Sequence, residues 1–293
     1  MGSPFRLVVY AVDEASAREG AEAAFHEVAR LDSLFSDYRT DSEIAFLAAR
    51  SGDGAALPVS QDLWGLLRTA RRWSELTDGA FDVTVGPLTR LWRWSARRGE
   101  LPPSGRLRSA LGAVGFRNLS FDSARQAVRL ERPAMALDLG GIAKGYAADV
   151  ALGTLRRRGL EIALVDAGGD VVAGDAPPGE SGWRIVIPGG QHVLLRHAAL
   201  ATSGDRYRYV EIDGVRYSHI VDPRTGLGVP DAPTVTVMAP DGTTADVLAS
   251  ALTVLAPAAG RALVREVPGA SARVRGADTW TSETFPPARA PAS

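Results

Sequence analysis

Three short segments hold the side chains of this chain that could do chemistry. The first reads Asp138-Leu139-Gly140-Gly141-Ile142-Ala143-Lys144-Gly145-Tyr146, with an apolar stretch (134–137) before it and a helical pattern after it that reaches Arg156, Arg157, Arg158 and Gly159. That order predicts a buried strand, a glycine turn and a helix whose N-terminus opens at the glycines. Backbone N–H groups and the positive end of the helix dipole would then converge on one spot, a place to hold a phosphate, and Lys144 adds charge. Asp138, at the strand end, can accept hydrogen bonds from a ligand or orient a metal-bound group. The spacing differs from a Walker A loop, where lysine follows the second glycine, and from the G-x-G-x-x-G dinucleotide fingerprint. A plain strand-to-helix turn with a solvated lysine accounts for the same residues.

The second segment is the apolar helix predicted over residues 244–252, where Asp246 and Ser250 stand four apart. This spacing puts carboxylate and hydroxyl on one face, one turn from each other. An all-oxygen pair suits Mg²⁺, which keeps waters and completes its shell from substrate phosphates. Asp246 as a helix cap and Ser250 bonded back to a carbonyl is the competing reading. The third segment, Arg216-Tyr217-Ser218-His219-Ile220-Val221-Asp222-Pro223-Arg224-Thr225-Gly226, runs from a strand into an Asp-Pro turn. It would hold His219 rigidly beside a loop, and histidine trades protons near neutral pH. A structural role is open for His219, as for His26, His192 and His197. His192 and His197 are five apart in a strand-like region and face opposite sides, which argues against a shared metal.

The elements that must position these groups are mixed. Residues 5–12 read as a strand, followed by an amphipathic helix with the stripe Ala21, Ala24, Phe25, Val28 and Leu31. A second helix follows Ser60 as N-cap, aligns Leu63, Leu66, Leu67, Ala70 and Trp73, and stops at Asp78-Gly79. Strands dominate residues 183–237, with a hairpin from Tyr207 to Ile212 and Val215 to Val221 around an Asp213-Gly214 type I′ turn. Without regular βαβ alternation, the pattern favours α+β: largely antiparallel sheet with packed helices.

Composition narrows the classes. The 293 residues can bury a large core as one domain or two closely packed halves, with 284–293 as a disordered tail. A net charge of -1 gives no reason to expect nucleic acid or an anionic membrane as partner. Zero cysteines exclude disulfides, iron–sulfur clusters and thiol catalysis. The longest uncharged apolar run, 247–260, is shorter than the roughly 20 residues of a membrane span, and Arg6, Asp13 and Glu14 interrupt any signal-peptide pattern. The chain as written is therefore expected to stay in the cytoplasm.

In register along nearly the whole chain, the segments resemble the Mg²⁺-dependent FAD:protein FMN transferases of the ApbE family. The markers are Met1-Gly2-Ser3, Phe35-Ser36-Asp37-Tyr38 with Ser42-Glu43-Ile44, the run from Gly79 to Leu88 with Leu91-Trp92, and Asp138 to Tyr146. They continue with Asp166-Ala167-Gly168-Gly169-Asp170, Thr202-Ser203-Gly204-Asp205, His219 to Gly226, and Ala245-Asp246 with Ser250. The resemblance implies an ApbE-like, T-fold-related architecture over residues 1–283 and transfer of FMN from FAD to a threonine of another protein, with release of AMP. It implies FAD contacts at Met1, Tyr38, Ala80, Phe81, Asp82, Asp138, Lys144 and His219, and Mg²⁺ held by the Gly141 carbonyl with Asp246 and Ser250. His219 would be the base for the incoming threonine, oriented by Asp222. The acceptor would carry a segment like Asp-Gly-x-Ser/Thr-Gly-Ala-Thr. An FAD pyrophosphatase giving free FMN, or a non-catalytic flavin-binding protein, would use the same cradle. Departures from the family are Ser250 for the usual threonine, Ala48 for asparagine and Val83 for proline; many relatives also carry a signal and lipid-attachment cysteine. A Met-Gly start invites removal of Met1.

Overall fold

The computed structural model describes residues 3–204 and 209–287; Met1, Asp205 and Tyr207 fall outside them. Its helices are α1 (Glu14–Phe35), α2 (Glu43–Ala49), α3 (Gln61–Leu76), α4 (Gly86–Arg98), α5 (Ser104–Gly112), α6 (Ala143–Arg156), α7 (Gly242–Val254) and α8 (Pro257–Glu266). The main sheet runs Phe5–Val9, Ala163–Ala167, Asp170–Ala173, Ala198–Ser203, Thr234–Ala239, Ser271–Arg275, Trp280–Thr281 across its width. Every neighbouring pair is antiparallel. The α+β reading holds, and strands from both ends of the chain share this one sheet.

Local chemistry sets most boundaries. Ser60 caps α3 by accepting the Leu63 N–H at 3.2 Å, and Asp78 and Gly79 end it with φ of 47° and 76°. The α3 stripe Leu63, Leu66, Leu67, Ala70 and Trp73 is buried as its spacing requires. In α1 the buried line is Gly20, Ala24, Leu31 and Phe35, whereas Phe25 is 43% exposed. Position 25 stands about 100° round the helix from 24, which takes its ring off the packed face. The hairpin pairs Tyr209–Ile212 with Val215–Val221, and positive φ at both Asp213 (51°) and Gly214 (76°) fits the type I′ turn.

The strand expected over 134–137 does not form. Its neighbour is the irregular turn around Val83 and Val85, which offers one parallel bridge to Ala136 and a carbonyl for the Asp138 N–H at 2.8 Å. Met135, Ala136 and Leu137 are buried all the same.

One core lies between the main sheet and α1, α3, α6 and α7. A second covers the sheet's other face through Trp183, Val193, Leu195 and Leu200, and Phe285, inside the segment expected as tail, is buried with them. A third joins α4 to the sheet of Tyr209–Ile212, Val215–Val221 and Gly228–Pro230 through Leu88, Trp92, Ile212 and Val221. Among the described residues no helix is long and apolar enough to cross a membrane.

Candidate active site

The sites of chemistry share one cleft of about 520 Å³, walled by α4 on one side, by α6 and α7 on another and by the strand Val215–Val221 on a third. Its floor depends on how closely α6 and α7 approach. A Cβ added to Gly145 would stand 2.1 Å from the Gly242 carbonyl oxygen, so only glycine allows this crossing. Asp149 of α6 fastens the contact: Oδ1 accepts the Gly242 N–H at 2.7 Å, and Oδ2 accepts the Thr243 N–H at 2.9 Å and its hydroxyl at 2.7 Å. Burial raises the Asp149 carboxyl above its ordinary value, against these bonds.

This crossing brings Lys144 between two buried carboxylates. Its Nζ bonds to Asp170 and lies 3.5 Å from Asp246 Oδ1, while Asp246 Oδ2 accepts the Gly145 N–H at 3.1 Å. Burial alone would depress the Lys144 ammonium, but Asp246 and Asp170 outweigh it and hold it well above the usual lysine range. Burial likewise pushes the Asp246 carboxyl up; Lys144 pulls it down and Asp170 pushes it up again. The α6 N-terminus is less open than expected. The Ile142 and Ala143 N–H groups donate to the Leu139 carbonyl, Gly140 donates to Asp138 and Gly145 to Asp246.

Asp246 does not cap α7. That role belongs to Asp241, which accepts the Thr244 N–H at 2.7 Å. Nor does Ser250 bond back along its helix as Ser74, Thr154 and Thr253 do: among the described residues its hydroxyl has no partner. Instead Ser250 Oγ lies 2.8 Å from where a Gly141 Cβ would be. A carboxylate, a free hydroxyl and a bare glycine thus meet at one place. These hard oxygens fit Mg²⁺, which binds through one or two carboxylates and takes the remainder from waters and phosphates. No group of three or more His, Asp or Glu side chains that could hold a metal occurs among the described residues.

On the opposite wall Arg93 of α4 gathers three residues. It donates to Asp37 at 2.5 Å and to Asp138 at 3.1 Å, and its Cζ sits 4.8 Å from the centre of the Tyr38 ring, which is 70% exposed at the cleft mouth. Asp138 also accepts the Gly140 N–H at 2.9 Å. Ala80, Phe81 and Asp82 line the cleft too, but both Asp82 oxygens are used within the fold, accepting from the Thr84 N–H and hydroxyl and from the Phe116 N–H. Burial raises the Asp82 carboxyl above its ordinary value, against the bonds from Thr84 and Phe116.

His219 is exposed and lines the cleft, on a strand pinned to α4 where Trp92 Nε1 donates to the Ser218 carbonyl at 3.0 Å. Asp222, expected to orient His219, does not line the cleft. Its oxygens accept from Arg224 Nε and Nη2 at 2.9 and 2.8 Å, because the Asp-Pro turn folds Arg224 back onto it. Arg93, Asp37, Asp170 and Asp149 were not singled out as site residues. Asp170 closes the Asp166-Ala167-Gly168-Gly169-Asp170 hairpin, whose two positive-φ glycines were the available signal; Arg93 follows the marker Trp92 directly.

A model described as the ApbE family matches residues 1–274. The FAD:protein FMN transferase of Treponema pallidum is 35% identical over 295 residues, covering 93% of this chain and 81% of that protein. Among solved structures, the ApbE protein of Thermotoga maritima superposes with a TM-score of 0.87 at 34% identity, covering 97% of this chain and 95% of that one. The apo flavinyl transferase ApbE of Pseudomonas stutzeri gives 0.86 at 31% identity, covering 97% and 92%.

Proposed function

The chain belongs to the ApbE family, and from that premise we propose that it transfers FMN from FAD to a threonine hydroxyl of a separate acceptor protein, in a reaction that uses Mg²⁺. The observation that carries the reading is the meeting, in one cleft, of Lys144, the oxygen set of Asp246, Ser250 and Gly141, and His219. In the balanced step the threonine oxygen forms a bond to the phosphorus of the FMN half. The bond from that phosphorus to the bridging oxygen breaks, and AMP departs with that oxygen. The threonine proton goes to His219, which lines the cleft on a strand held rigid by Trp92.

Asp246, Ser250 and the Gly141 carbonyl would hold Mg²⁺, which when bound neutralises charge on the pyrophosphate. Lys144 supplies a second, permanent positive charge, kept in place by Asp170. Arg93 holds Asp138 and Tyr38 in position for the flavin end of the substrate. Asp222 is left a structural part, shaping the turn that follows His219.

The acceptor is a second molecule. The segment Asp241-Gly242-Thr243-Thr244-Ala245-Asp246 begins like the acceptor motif but lacks its Gly-Ala-Thr ending. Both of its threonine hydroxyls are also engaged, Thr243 by Asp149 and Thr244 by Asp241.

The test is incubation with FAD, Mg²⁺ and a peptide bearing Asp-Gly-x-Ser/Thr-Gly-Ala-Thr, read by intact mass. An FMN-sized gain on the peptide with release of AMP is expected. Free FMN with no gain on the peptide would replace this reading with FAD pyrophosphatase activity, and no AMP at all would leave a flavin-binding protein.

A further inference from the structure

We propose that the arginine-bearing outer face of α4 and α5 docks the acceptor protein, and that the acceptor presents Asp and Glu around its modified threonine. This deepens the transfer reading above and rests on it. Residues 86–112 contain Arg90, Arg93, Arg97, Arg98, Arg106 and Arg108 against a single acid, Glu100, in a chain whose formal charge is only -1. Positive charge is therefore concentrated on one wall of the cleft.

Geometry places this charge at the mouth. Thr89, Trp92, Arg93 and Ala96 of α4 line the cleft. Arg90 and Arg97, two turns apart on the adjoining stripe of the same helix, are exposed. Trp94 ties in the next helix, with Arg98 of α4 at 5.0 Å and Arg106 of α5 at 4.9 Å from its ring centre. The stripe thus continues from the cleft rim across α4 to Arg106, which is exposed on the side of α5 that meets Trp94; Arg108, two residues on and about 200° round that helix, is exposed on another side.

Four of these charges lack the carboxylate partners that several other surface arginines have. Arg18, Arg39 and Arg129 each meet a nearby carboxylate, Glu14, Asp41 and Glu131, at 2.6–2.7 Å. Among the described residues Arg90, Arg97, Arg106 and Arg108 meet none. No carboxylate among the described residues pairs with them, so their field reaches into solvent beside the cleft. Such a field raises the encounter rate of an acidic partner and disfavours a basic one.

The experiment uses two acceptor peptides, identical through Asp-Gly-x-Ser/Thr-Gly-Ala-Thr but flanked either by Asp and Glu or by Gln and Ser. With the parent enzyme the acidic peptide is expected to show a KM lower by about tenfold, an advantage that shrinks as salt is added. Replacing Arg90, Arg97 and Arg106 together by Glu should erase that preference and leave the KM for FAD within about twofold, since none of the three lines the cleft. Exposed arginines without a carboxylate partner contribute little to folding, and an unchanged thermal transition checks this. Equal KM values for the two peptides on the parent, or a preference that survives the triple change, would overturn the proposal. So would co-sedimentation of the parent with phosphatidylglycerol vesicles that the triple variant loses while the peptide preference persists, which would assign the face to a lipid surface. Labelling of neither peptide by the parent sinks the transfer reading, and this docking surface with it.

Discussion

At Lys144 the cost of burying an ammonium is met by two carboxylates reached from distant parts of the chain, and the same arrangement leaves Asp246 with one oxygen facing Lys144 and the other on the Gly145 N–H. Asp246 is therefore already committed to the fold as well as proposed for the metal, which separates it from Ser250, whose hydroxyl has no protein partner among the described residues. Asp246→Ala should abolish transfer. Ser250→Ala should keep the fold and raise the Mg²⁺ concentration needed for half-maximal rate, whereas Ser250→Thr, which keeps the oxygen, should cost little. A Mg²⁺ titration of the three variants checks this, and identical metal dependence for Ser250→Ala and the parent removes Ser250 from the coordination shell. For His219, change to Ala should leave FAD affinity within about 1–2 kcal/mol but slow single-turnover transfer by roughly 10² to 10⁴. Transfer at the parental rate would make His219 a flavin contact only. Asp222 is then no natural substitute as base, since Arg224 occupies its carboxylate.

Among the elements, α6 is the one that the others are fastened to. Its Asp149 accepts the Gly242 and Thr243 N–H groups at the start of α7, and its Tyr146 hydroxyl donates at 2.7 Å to Asp62 of α3, which also accepts from Arg30 of α1 at 2.7 Å. Burial alone would raise the Asp62 carboxyl, but the bonds from Arg30 and Tyr146 prevail and hold it below the ordinary 3.8. A depressed folded value stabilises above the unfolded value and is lost as pH falls through the folded one. Asp62→Asn should accordingly cost about 1.5–3 kcal/mol near neutral pH, with the gap to the parent closing in acid below 3.8, as followed by urea unfolding across that range. How much of this the sequence revealed depended on distance along the chain. The Ser60 cap, the α3 stripe and the Asp213-Gly214 turn are set within a few neighbours, and all three were legible. The extended segment 134–137 was misread because apolar content marks burial without saying whether a ladder partner exists. Arg93, 45 residues from Asp138, and Lys144, 26 from Asp170, are paired by helix and strand placement that no local pattern encodes.

For the whole molecule, the decisive feature is that one sheet collects strands from residues 5–9 through 280–281, with cores on both of its faces. Phe285 belongs to the second of these, so Phe285→Ala should lower unfolding free energy by about 3 kcal/mol. Urea denaturation measures the change, and a loss below about 0.5 kcal/mol would show that the packing there is dispensable. The transfer site inherits this span: its walls run from Ser3 near one end to Ser250 and Val254 near the other. A ribosome adding roughly 5–20 residues per second takes on the order of 15–60 s over such a length. Through most of that interval Phe5–Val9 waits for Ala163–Ala167, its one neighbour in the sheet. A nascent chain of this protein therefore has no finished flavin site to steady it until the α7 residues Asp246, Ser250 and Val254 have been added.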